Sequence, residues 1–427
     1  MKNSAYNRRT GRPEPVGSTS PVPAKAPDGW LIGIVVTLLI IGTLAIFDAS
    51  YVKAGESRYA GHDSFFFLRK QVQWVAIGAV AFFAGMHAGY WRLRRFAPTA
   101  LLISCALLLG VLAFSHPVSG AKRWIDIFGQ RIQPSEIAKI ALVFYLAHYL
   151  SVNRRRIHLF QEGFLPALLP VGIVAFLILA EPDMGTTLAT CGVAVALLFA
   201  GGAKPKHVLG LFALAAAGVF LLSIKDHYKL QRLLTFMDPF KDPDGAGYQV
   251  IQGISALGSG GWFGRGIGES IAKWNYLPAE HTDFIFAIIG EELGLKGTIP
   301  IVLLFLALVR RGFIIANKCQ NTFGSLLAMG ISLTIGLQAA LNIGVVSTLL
   351  PATGVPLPLI SFGGSSLVLT LFALGVLADI SRRPVLPWDN GDNDSRSNRR
   401  WDRGAYLPGA GDRRSARKTR RVPTVYR

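Results

Sequence analysis

The chain has 427 residues, a formal net charge of +19 and a hydrophobic fraction of 51%. Only 16% of its residues are charged, whereas soluble domains use about 25%, so the composition excludes a disordered polyelectrolyte and disfavours an ordinary soluble enzyme. With a mean hydropathy of +0.41, the sequence is typical of a protein that lies mostly in lipid.

The chain begins with a polar, basic, proline-rich segment, residues 1–28, and we predict a cytoplasmic tail there. The first apolar run, residues 30–47, lacks a small-residue cleavage site, which indicates an uncleaved membrane helix. Crossing the bilayer takes about 20 apolar residues, and ten runs approach this length. They predict an all-α polytopic membrane domain over residues 29–380. The ten runs are residues 30–47, 72–88, 97–114, 135–150, 164–180, 185–201, 207–223, 284–309, 323–346 and 363–377.

The distribution of Lys and Arg predicts the orientation of these helices. Most basic residues fall in the two tails and in the loops on one side, so the positive-inside rule places both termini in the cytoplasm. A loop of about 60 residues, 224–283, then lies outside the cytoplasm between helices seven and eight, and loops of this length are usually functional. The basic tail, residues 381–427, reads as disordered, either a topology anchor on anionic lipid or a docking segment for a cytoplasmic protein.

Two charged residues at the start of the fourth apolar run need an explanation, because charges inside a membrane are costly. Glu136 and Lys139 are three residues apart, so they share one face of a helix and can pair. One interpretation is a structural ion pair. The other is that Lys139 offers a cation to a phosphate-bearing lipid while Glu136 orients it.

The end of the long loop collects Glu280, His281 and Asp283 at the predicted outer surface, next to a helix N-terminus. Asp283 could cap that helix, where a carboxylate is stabilised by the helix dipole, or act as a catalytic base, and the spacing does not decide between the two. Glu291 and Glu292 follow in the same predicted helix and must face protein, water or a cation rather than lipid.

The remaining outer loops are unusual. Residues 181–186 form a short acidic turn, and residues 351–366 form a Pro/Gly-broken hydrophobic segment. Such a segment reads as re-entrant or unwound, which is tolerable only where it lines a cavity. The substrate is therefore expected to be amphiphilic and bound from the outer side. The glycine-rich residues 258–268 lack the ending and the preceding strand of a phosphate loop, so we interpret them as a tight turn.

Four blocks of the sequence, in order, resemble the SEDS family, the bacterial shape, elongation, division and sporulation membrane proteins. The resemblance covers roughly residues 30–381. The blocks are Pro134-Ser135-Glu136-Ile137-Ala138-Lys139, Glu181-Pro182-Asp183-Met184-Gly185-Thr186, His281-Thr282-Asp283-Phe284 with Glu291-Glu292-Leu293-Gly294, and Pro356-Leu357-Pro358 with Ser361-Phe362-Gly363-Gly364-Ser365-Ser366.

The resemblance implies a ten-helix peptidoglycan glycosyltransferase that polymerises lipid II at the outer face of the cytoplasmic membrane. It favours Asp283 as the catalytic residue over the capping role, and a division-type protein at the septum over an elongation-type one. Glu280 stands one residue later than the glutamate of the family, which weakens any role carried over to it. The residues that we assign to substrate binding are Glu136, Lys139, His281, Thr282, Lys70, Asp183, Gln249 and Ser365.

The partners implied by the resemblance are lipid II, the growing glycan chain, a class B penicillin-binding protein and other division proteins, with no nucleic acid. No organic cofactor is expected. A divalent cation, Mg²⁺ or Mn²⁺, held by carboxylates is the alternative to Lys139 as the group that stabilises the leaving pyrophosphate. The competing functions are a lipid II flippase, which should show midplane charges and internal repeats, and a non-catalytic scaffold.

Overall fold

The computed structural model describes residues 25–56, 61–115, 122–127, 130–211, 213, 236, 238–243, 245, 247–274, 277–278 and 280–383. The two predicted tails, residues 1–24 and 384–427, lie outside the described residues, and so does most of the predicted seventh membrane helix. The described part is mostly helical. An antiparallel hairpin, β1 (Ile125–Ile127) and β2 (Gln130–Ile132), pairs Asp126 with Arg131.

The helices follow the apolar runs of the sequence. A π-helical turn, Phe160–Phe164, leads into the fifth helix, a 3-10 turn, Pro239–Lys241, lies in the long loop, and residues 205–211 are also helical. The α-helices are α1 (Gly29–Glu56), α2 (Phe66–His87), α3 (Tyr90–Phe114), α4 (Pro134–Val152), α5 (Leu165–Ala180), α6 (Met184–Ala200), α7 (Tyr248–Gly260), α8 (Ile285–Leu293), α9 (Leu295–Lys318), α10 (Thr322–Val346) and α11 (Gly364–Arg382).

Seven helical stretches of the described residues are long and apolar enough to cross a membrane, which confirms an all-α polytopic membrane protein. The predicted second span is present as α2, whose first turns are polar at Lys70, Gln71 and Gln73, and the sixth is the 17-residue α6. Because the seventh lies largely outside the described residues, the count of ten stays a prediction. The seven are α1, α3, α4, Phe160–Ala180, α9, α10 and α11.

The predicted eighth span, residues 284–309, is wrong as a single helix. It is broken at Gly294, where φ is +64°, into the nine-residue α8 and the longer α9. The first amides of α9 bond to the long loop instead of to α8: Leu295 N–H donates to the Gly261 carbonyl (3.0 Å) and Lys296 N–H to that of Trp262 (3.2 Å). Apolar periodicity continues across the break, which is why the sequence conceals it.

Glycines allow the closest helix contacts in the bundle. A β-carbon on Gly85 of α2 would collide with the carbonyl oxygen of Phe372, and one on Gly375 of α11 with that of Phe82. These two helices therefore touch backbone to backbone. Their close packing places the start of α11, which carries Ser365 and Ser366, beside the start of α2.

The two ends of the described membrane domain lie at the same end of the bundle. Asp28, before α1, forms an ion pair with Arg311 of α9 (2.9 Å), and its amide donates to Oγ of Ser381 at the end of α11 (3.1 Å). This arrangement requires an even number of crossings between them. We call the opposite end of the bundle the site end; α1 ends there, and α4, α6 and α11 begin there.

At the site end, residues 347–363 connect α10 to α11 without forming a helix or a strand. Leu357, Leu359 and Ile360 of this unwound segment are nevertheless buried, and Leu359 has a φ of +65°. A buried irregular backbone must find hydrogen-bond partners in the surrounding protein. The prediction of an unwound element between the last two helices is confirmed.

Candidate functional site

The residue predicted to be catalytic, Asp283, lies in the turn that joins the long loop to α8. The helix begins at Ile285, and Phe284 occupies its N-cap position without a side-chain capping bond. Asp283 stands one residue before the cap and is half-buried. The structure therefore does not place Asp283 at the capping position that the sequence left open.

Three consecutive carbonyl groups fix the backbone on which Asp283 lies. The His281 carbonyl accepts from Phe362 N–H (3.0 Å), and the Thr282 carbonyl accepts from Oγ of Ser361 (2.5 Å). The Asp283 carbonyl accepts from Nδ2 of Asn342 (2.8 Å). These bonds all use main-chain oxygens, so they fix the position of the turn through its backbone.

The carboxylate of Asp283 faces the unwound segment. A β-carbon placed on Gly354 would lie 3.6 Å from Oδ2 of Asp283, and Gly354 has a φ of +71°. Asn342, which holds the Asp283 carbonyl, also donates to the carbonyl of Val355 (2.8 Å). One side chain of α10 thus holds the turn and the unwound segment in a fixed relation.

Glu136 and Lys139 form the predicted ion pair, and both are buried. Nζ of Lys139 lies 2.9 Å from each oxygen of Glu136 and 2.8 Å from Oε1 of Gln338, so these contacts match its three donor hydrogens. Gln338 in turn donates to the carbonyl of Pro356 (3.1 Å), and Ser366 donates to Glu136 (2.8 Å). The ion pair therefore adjoins the same unwound segment as Asp283.

Asp183 and Ser365 belong to one hydrogen-bonded group. Asp183 caps α6 by accepting from Thr186 N–H (3.1 Å) and also accepts from Nε2 of Gln133 (3.0 Å). The main-chain N–H of Gln133 donates to Oγ of Ser365 (3.4 Å). Gly185 packs against the Thr353 carbonyl, so this group reaches the unwound segment from the side of α6.

Three other predicted site residues contact α2 or the end of the long loop. The ring of His281 packs against Phe67 of α2 (centroids 4.7 Å apart). Gln249, in the first turn of α7, donates to the Pro278 carbonyl (3.4 Å), near the turn. Lys70 lies over the ring of Phe66 (4.6 Å), one helical turn from Phe67.

Polar residues that the sequence pattern did not single out connect the predicted ones. Gln338 and Asn342 are buried, lie four residues apart and so share one face of the otherwise apolar α10. Two amides one turn apart in a membrane helix are a signal that the sequence did contain. Ser361 and Gln133 offered no comparable signal, because their roles depend on pairing with distant residues.

Glu181, in the turn between α5 and α6, is fully buried. Neither carboxyl oxygen has a hydrogen-bond partner among the described residues. Burial, followed by repulsion from Asp183, raises the pKa of Glu181 to about 8, although the charge of Arg123 acts in the opposite direction. Arg123 donates instead to the main-chain oxygens of Glu181 (3.1 Å) and Pro182. Glu181 is therefore neutral at pH 7.

Other buried polar atoms around the unwound segment lack a partner among the described residues. Such an atom costs about 1–3 kcal/mol unless something hydrogen-bonds to it, so each of them is a potential partner for a polar ligand. They are Oγ of Ser135, Oδ1 of Asn342 and Oγ1 of Thr353.

The same residues offer a poor cage for a metal ion. In the part of the chain that the structure describes, no three His, Cys, Asp or Glu side chains come close enough to hold a cation. Asp183 is already engaged by Thr186 and Gln133. The divalent cation therefore stays a prediction.

Glu291 and Glu292 face protein, one of the three environments predicted for them, although α8 is not part of a continuous membrane helix. Glu291 accepts from Oγ of Ser270 (2.5 Å) and from the main-chain N–H groups of Ile271 and Ala272 in the long loop. Glu292 accepts from Nζ of Lys273 (3.1 Å). The two carboxylates therefore fasten the long loop onto α8.

Fold and site together define a polytopic helical membrane protein with a polar site around an unwound segment at one end of its bundle. The family described as "Cell cycle protein" (FTSW_RODA_SPOVE) matches residues 29–384, and the chain belongs to this family. This confirms the resemblance drawn from the four sequence blocks.

Relatives of known description agree with this membership. The chain is 39% identical over 361 residues to the "Probable peptidoglycan glycosyltransferase FtsW" of Geobacter sp. (strain M18), covering 83% of this chain and 97% of the relative. It is 40% identical over 359 residues to the "Stage V sporulation protein E" of Bacillus subtilis (strain 168), covering 84% and 97%.

A similar solved structure comes from a study of the "structural coordination of polymerization and crosslinking by a peptidoglycan synthase complex". It superposes with a TM-score of 0.70 at 28% identity, covering 84% of this chain and 98% of that one.

Proposed function

We propose that the protein is a septal peptidoglycan glycosyltransferase that polymerises lipid II, with Asp283 as its catalytic base. One observation carries the assignment of roles. Asp283 and the buried Glu136–Lys139 pair adjoin the same unwound segment, Asp283 across from Gly354 and Lys139 through Gln338 and Pro356. A base and a cation that adjoin one segment suit a transfer in which a proton leaves one atom while negative charge grows on another.

In the proposed reaction, a sugar hydroxyl of the acceptor attacks the anomeric carbon of the lipid-linked donor. Asp283 takes the hydroxyl proton, the new glycosidic bond forms with inversion, and the bond to pyrophosphate breaks with the electron pair staying on the pyrophosphate. Lys139 stabilises that charge. To do so it must exchange one of its three present bonds, those to Glu136 and Gln338, for a phosphate oxygen.

The remaining predicted residues fit secondary roles in this scheme. We infer that His281 and Thr282 shape the floor beside Asp283, and that Asp183 and Ser365 bound the site from the sides of α6 and α11. Gln249 lies where the long loop would meet the sugar chain. Lys70 would contact the substrate only at its periphery. A divalent cation on the pyrophosphate is the alternative to Lys139 as the group that stabilises the leaving charge.

We infer that the site end faces the outside of the cytoplasmic membrane and that both termini are cytoplasmic. The lipid II headgroup and the growing strand would then meet Asp283 on the side where the wall is built. The similarity to a peptidoglycan synthase complex that coordinates polymerization and crosslinking supports a class B penicillin-binding protein as the partner, within the division apparatus.

The deciding experiment measures polymerisation of fluorescent lipid II by the purified protein together with its partner transpeptidase. Asp283→Asn should reduce glycan formation by at least a hundredfold, because the variant keeps the shape of the side chain but cannot take a proton. Glu269→Gln, which changes an exposed carboxylate of the same loop, should leave the rate unchanged. Glycan strands at the wild-type rate from Asp283→Asn would refute the catalytic role. Lipid translocation without any strands from the wild-type protein would favour the flippase.

A further inference from the structure

Two sets of contacts hold the segment that carries Asp283. In the first set, the carbonyls of residues 281–283 bond to α10 and the unwound segment. The second set comes from the C-terminal part of α1, which reaches the site end between Asp48 and Glu56. Nothing in the proposed reaction uses α1, yet its charged residues lie against this segment.

Two ion pairs join α1 to the long loop. Nζ of Lys273 lies 3.1 Å from Oδ1 of Asp48, with both side chains largely buried. Nζ of Lys53 lies 3.0 Å from Oε1 and 3.1 Å from Oε2 of Glu280, and Glu280 is fully buried while Lys53 is partly exposed. The first pair has its acid on α1, whereas the second has its acid on the loop.

We propose that these two pairs act as a clamp that positions Asp283 for the reaction, which makes Asp48, Lys53, Lys273 and Glu280 positioning residues rather than catalytic ones. The proposal rests on the function assigned to Asp283 above. The clamp acts through a short connection, since Glu280 is three residues before Asp283 and its carboxylate also lies 3.5 Å from Nδ1 of His281.

Because the two pairs have opposite polarity, only one alignment of the loop along α1 satisfies both of them. If the loop reversed its direction along α1, or shifted so that the pairs exchanged partners, Lys53 would meet Lys273 and Asp48 would meet Glu280. Like charges in a buried setting are strongly disfavoured, whereas the net stability gained from a correct buried pair is small. The pairs are therefore better explained as a means of fixing position than as a means of stabilising the fold.

One further contact makes the clamp stiff. Lys273 lies 3.1 Å from Oε1 of Glu292 on α8 as well as from Asp48, so α1, the loop and α8 meet at one ammonium group. The hydrogen bonds and charges of these two acids raise the pKa of Lys273 although burial acts against them. The ammonium group therefore stays charged across the physiological range.

The test compares kcat and KM of the full-length protein with its partner transpeptidase. Lys53→Glu and Glu280→Lys should each lower kcat by about ten- to a hundredfold, as expected for a displaced catalytic group, with little change in KM. The charge-swapped double variant Lys53→Glu/Glu280→Lys should recover kcat to within about threefold of wild type, because it restores the pair with reversed polarity.

A matched control exists at the opposite end of α1. Asp28→Asn removes the ion pair with Arg311 and should lower Tm without lowering kcat. The proposal is overturned if the single variants keep the wild-type kcat. It is overturned equally if the folded double variant is no more active than the singles, since a purely structural pair would show the same Tm changes without this pattern of rescue.

A second measurement does not depend on activity. Amide hydrogen exchange of peptides containing residues 280–284 should become at least about tenfold faster in Lys53→Met than in wild type, and should not change in Asp28→Asn. Unchanged exchange would refute the clamp even if the protein polymerised lipid II. Faster exchange in a protein that makes no glycan would instead refute the proposed function and leave the clamp standing.

Discussion

The surroundings of Glu181 disfavour ionisation of its carboxyl group. It is fully buried, its carboxyl oxygens have no partner among the described residues, and its pKa is raised to about 8. In the unfolded chain the carboxyl group ionises near pH 4.5. The folded state therefore binds one proton more than the unfolded state between these values, and the stability that the neutral carboxyl supplies is lost as pH rises through this window.

Replacement of this carboxyl by a neutral amide should remove that dependence. We expect Glu181→Gln to match wild type in Tm near pH 4.5 and to exceed it increasingly toward pH 8, since each unit of pH in the window changes stability by up to about 1.4 kcal/mol. Thermal unfolding in detergent from pH 5 to 9 measures this. A Tm difference that is independent of pH would mean that Glu181 is ionised in the fold.

The Glu136–Lys139 pair offers a choice between a structural and a substrate-binding role. Removing one charge alone, as in Lys139→Gln, leaves the other buried without a counterion and should cost about 3–5 kcal/mol. Removing both, as in Glu136→Gln/Lys139→Gln, keeps hydrogen-bonding groups without charges and should restore most of the Tm.

Activity of the double variant then separates the two roles. If Lys139 stabilises the leaving pyrophosphate, the double variant should be folded but at least about a hundredfold slower in glycan formation. Ser151→Ala, at the other end of the same helix, serves as the control and should retain its rate. A folded and fully active double variant would assign the pair a structural role alone.

At the scale of elements, the break between α8 and α9 lets the long loop bond to the first amides of α9. Gly294 has a φ of +64°, and a β-carbon there would collide with Gly264 N and approach the Trp262 carbonyl. Gly294→Ala should therefore cost at least about 1–2 kcal/mol from the left-handed backbone alone, with a further cost from the collision.

A matched glycine lies in the same region. Gly258 is inside α7 and has no atom within 4 Å of an added β-carbon, so Gly258→Ala should be neutral or stabilise the helix by up to about 1 kcal/mol. Comparison of Tm and of glycan formation for the two variants measures the difference. Equal Tm values would show that the chain does not need the left-handed turn at Gly294.

The elements that the sequence predicted well are those governed by local patterns. The apolar runs, the i,i+3 pair of Glu136 and Lys139, and the unwound segment with its Pro and Gly residues all follow from neighbouring residues. The break at Gly294 does not, because it depends on hydrogen bonds from Leu295 and Lys296 to a loop more than 30 residues earlier in the chain.

The same distinction applies to the site. The residues predicted around Asp283 are connected by Gln338 and Asn342 of α10, about 200 residues after Lys139 and 60 after Asp283. Pairings of this separation depend on how the helices pack, and no spacing in the sequence encodes them. A single sequence could therefore nominate the charged members of the site, and could mark Gln338 and Asn342 as unusual amides in a membrane helix, but it could not show which distant residues these amides hold together.

At the scale of the whole molecule, the proposed function depends on which side of the membrane the site end faces. The described contacts place Asp28, Arg311 and Ser381 at the opposite end, and the basic residues of the loops concentrate there. Because positively charged loops are retained in the cytoplasm, the site end is expected to lie outside.

Single cysteines in a variant that lacks Cys105, Cys191 and Cys319 test this orientation. Asp126→Cys and Glu269→Cys, both exposed at the site end, should react with a membrane-impermeant maleimide in intact spheroplasts. Glu162→Cys and Lys318→Cys, exposed at the opposite end, should react only after the membrane is permeabilised. The reverse pattern would place Asp283 in the cytoplasm, where no glycan strand is available to accept a sugar, and would exclude the polymerase whatever the chemistry of the site.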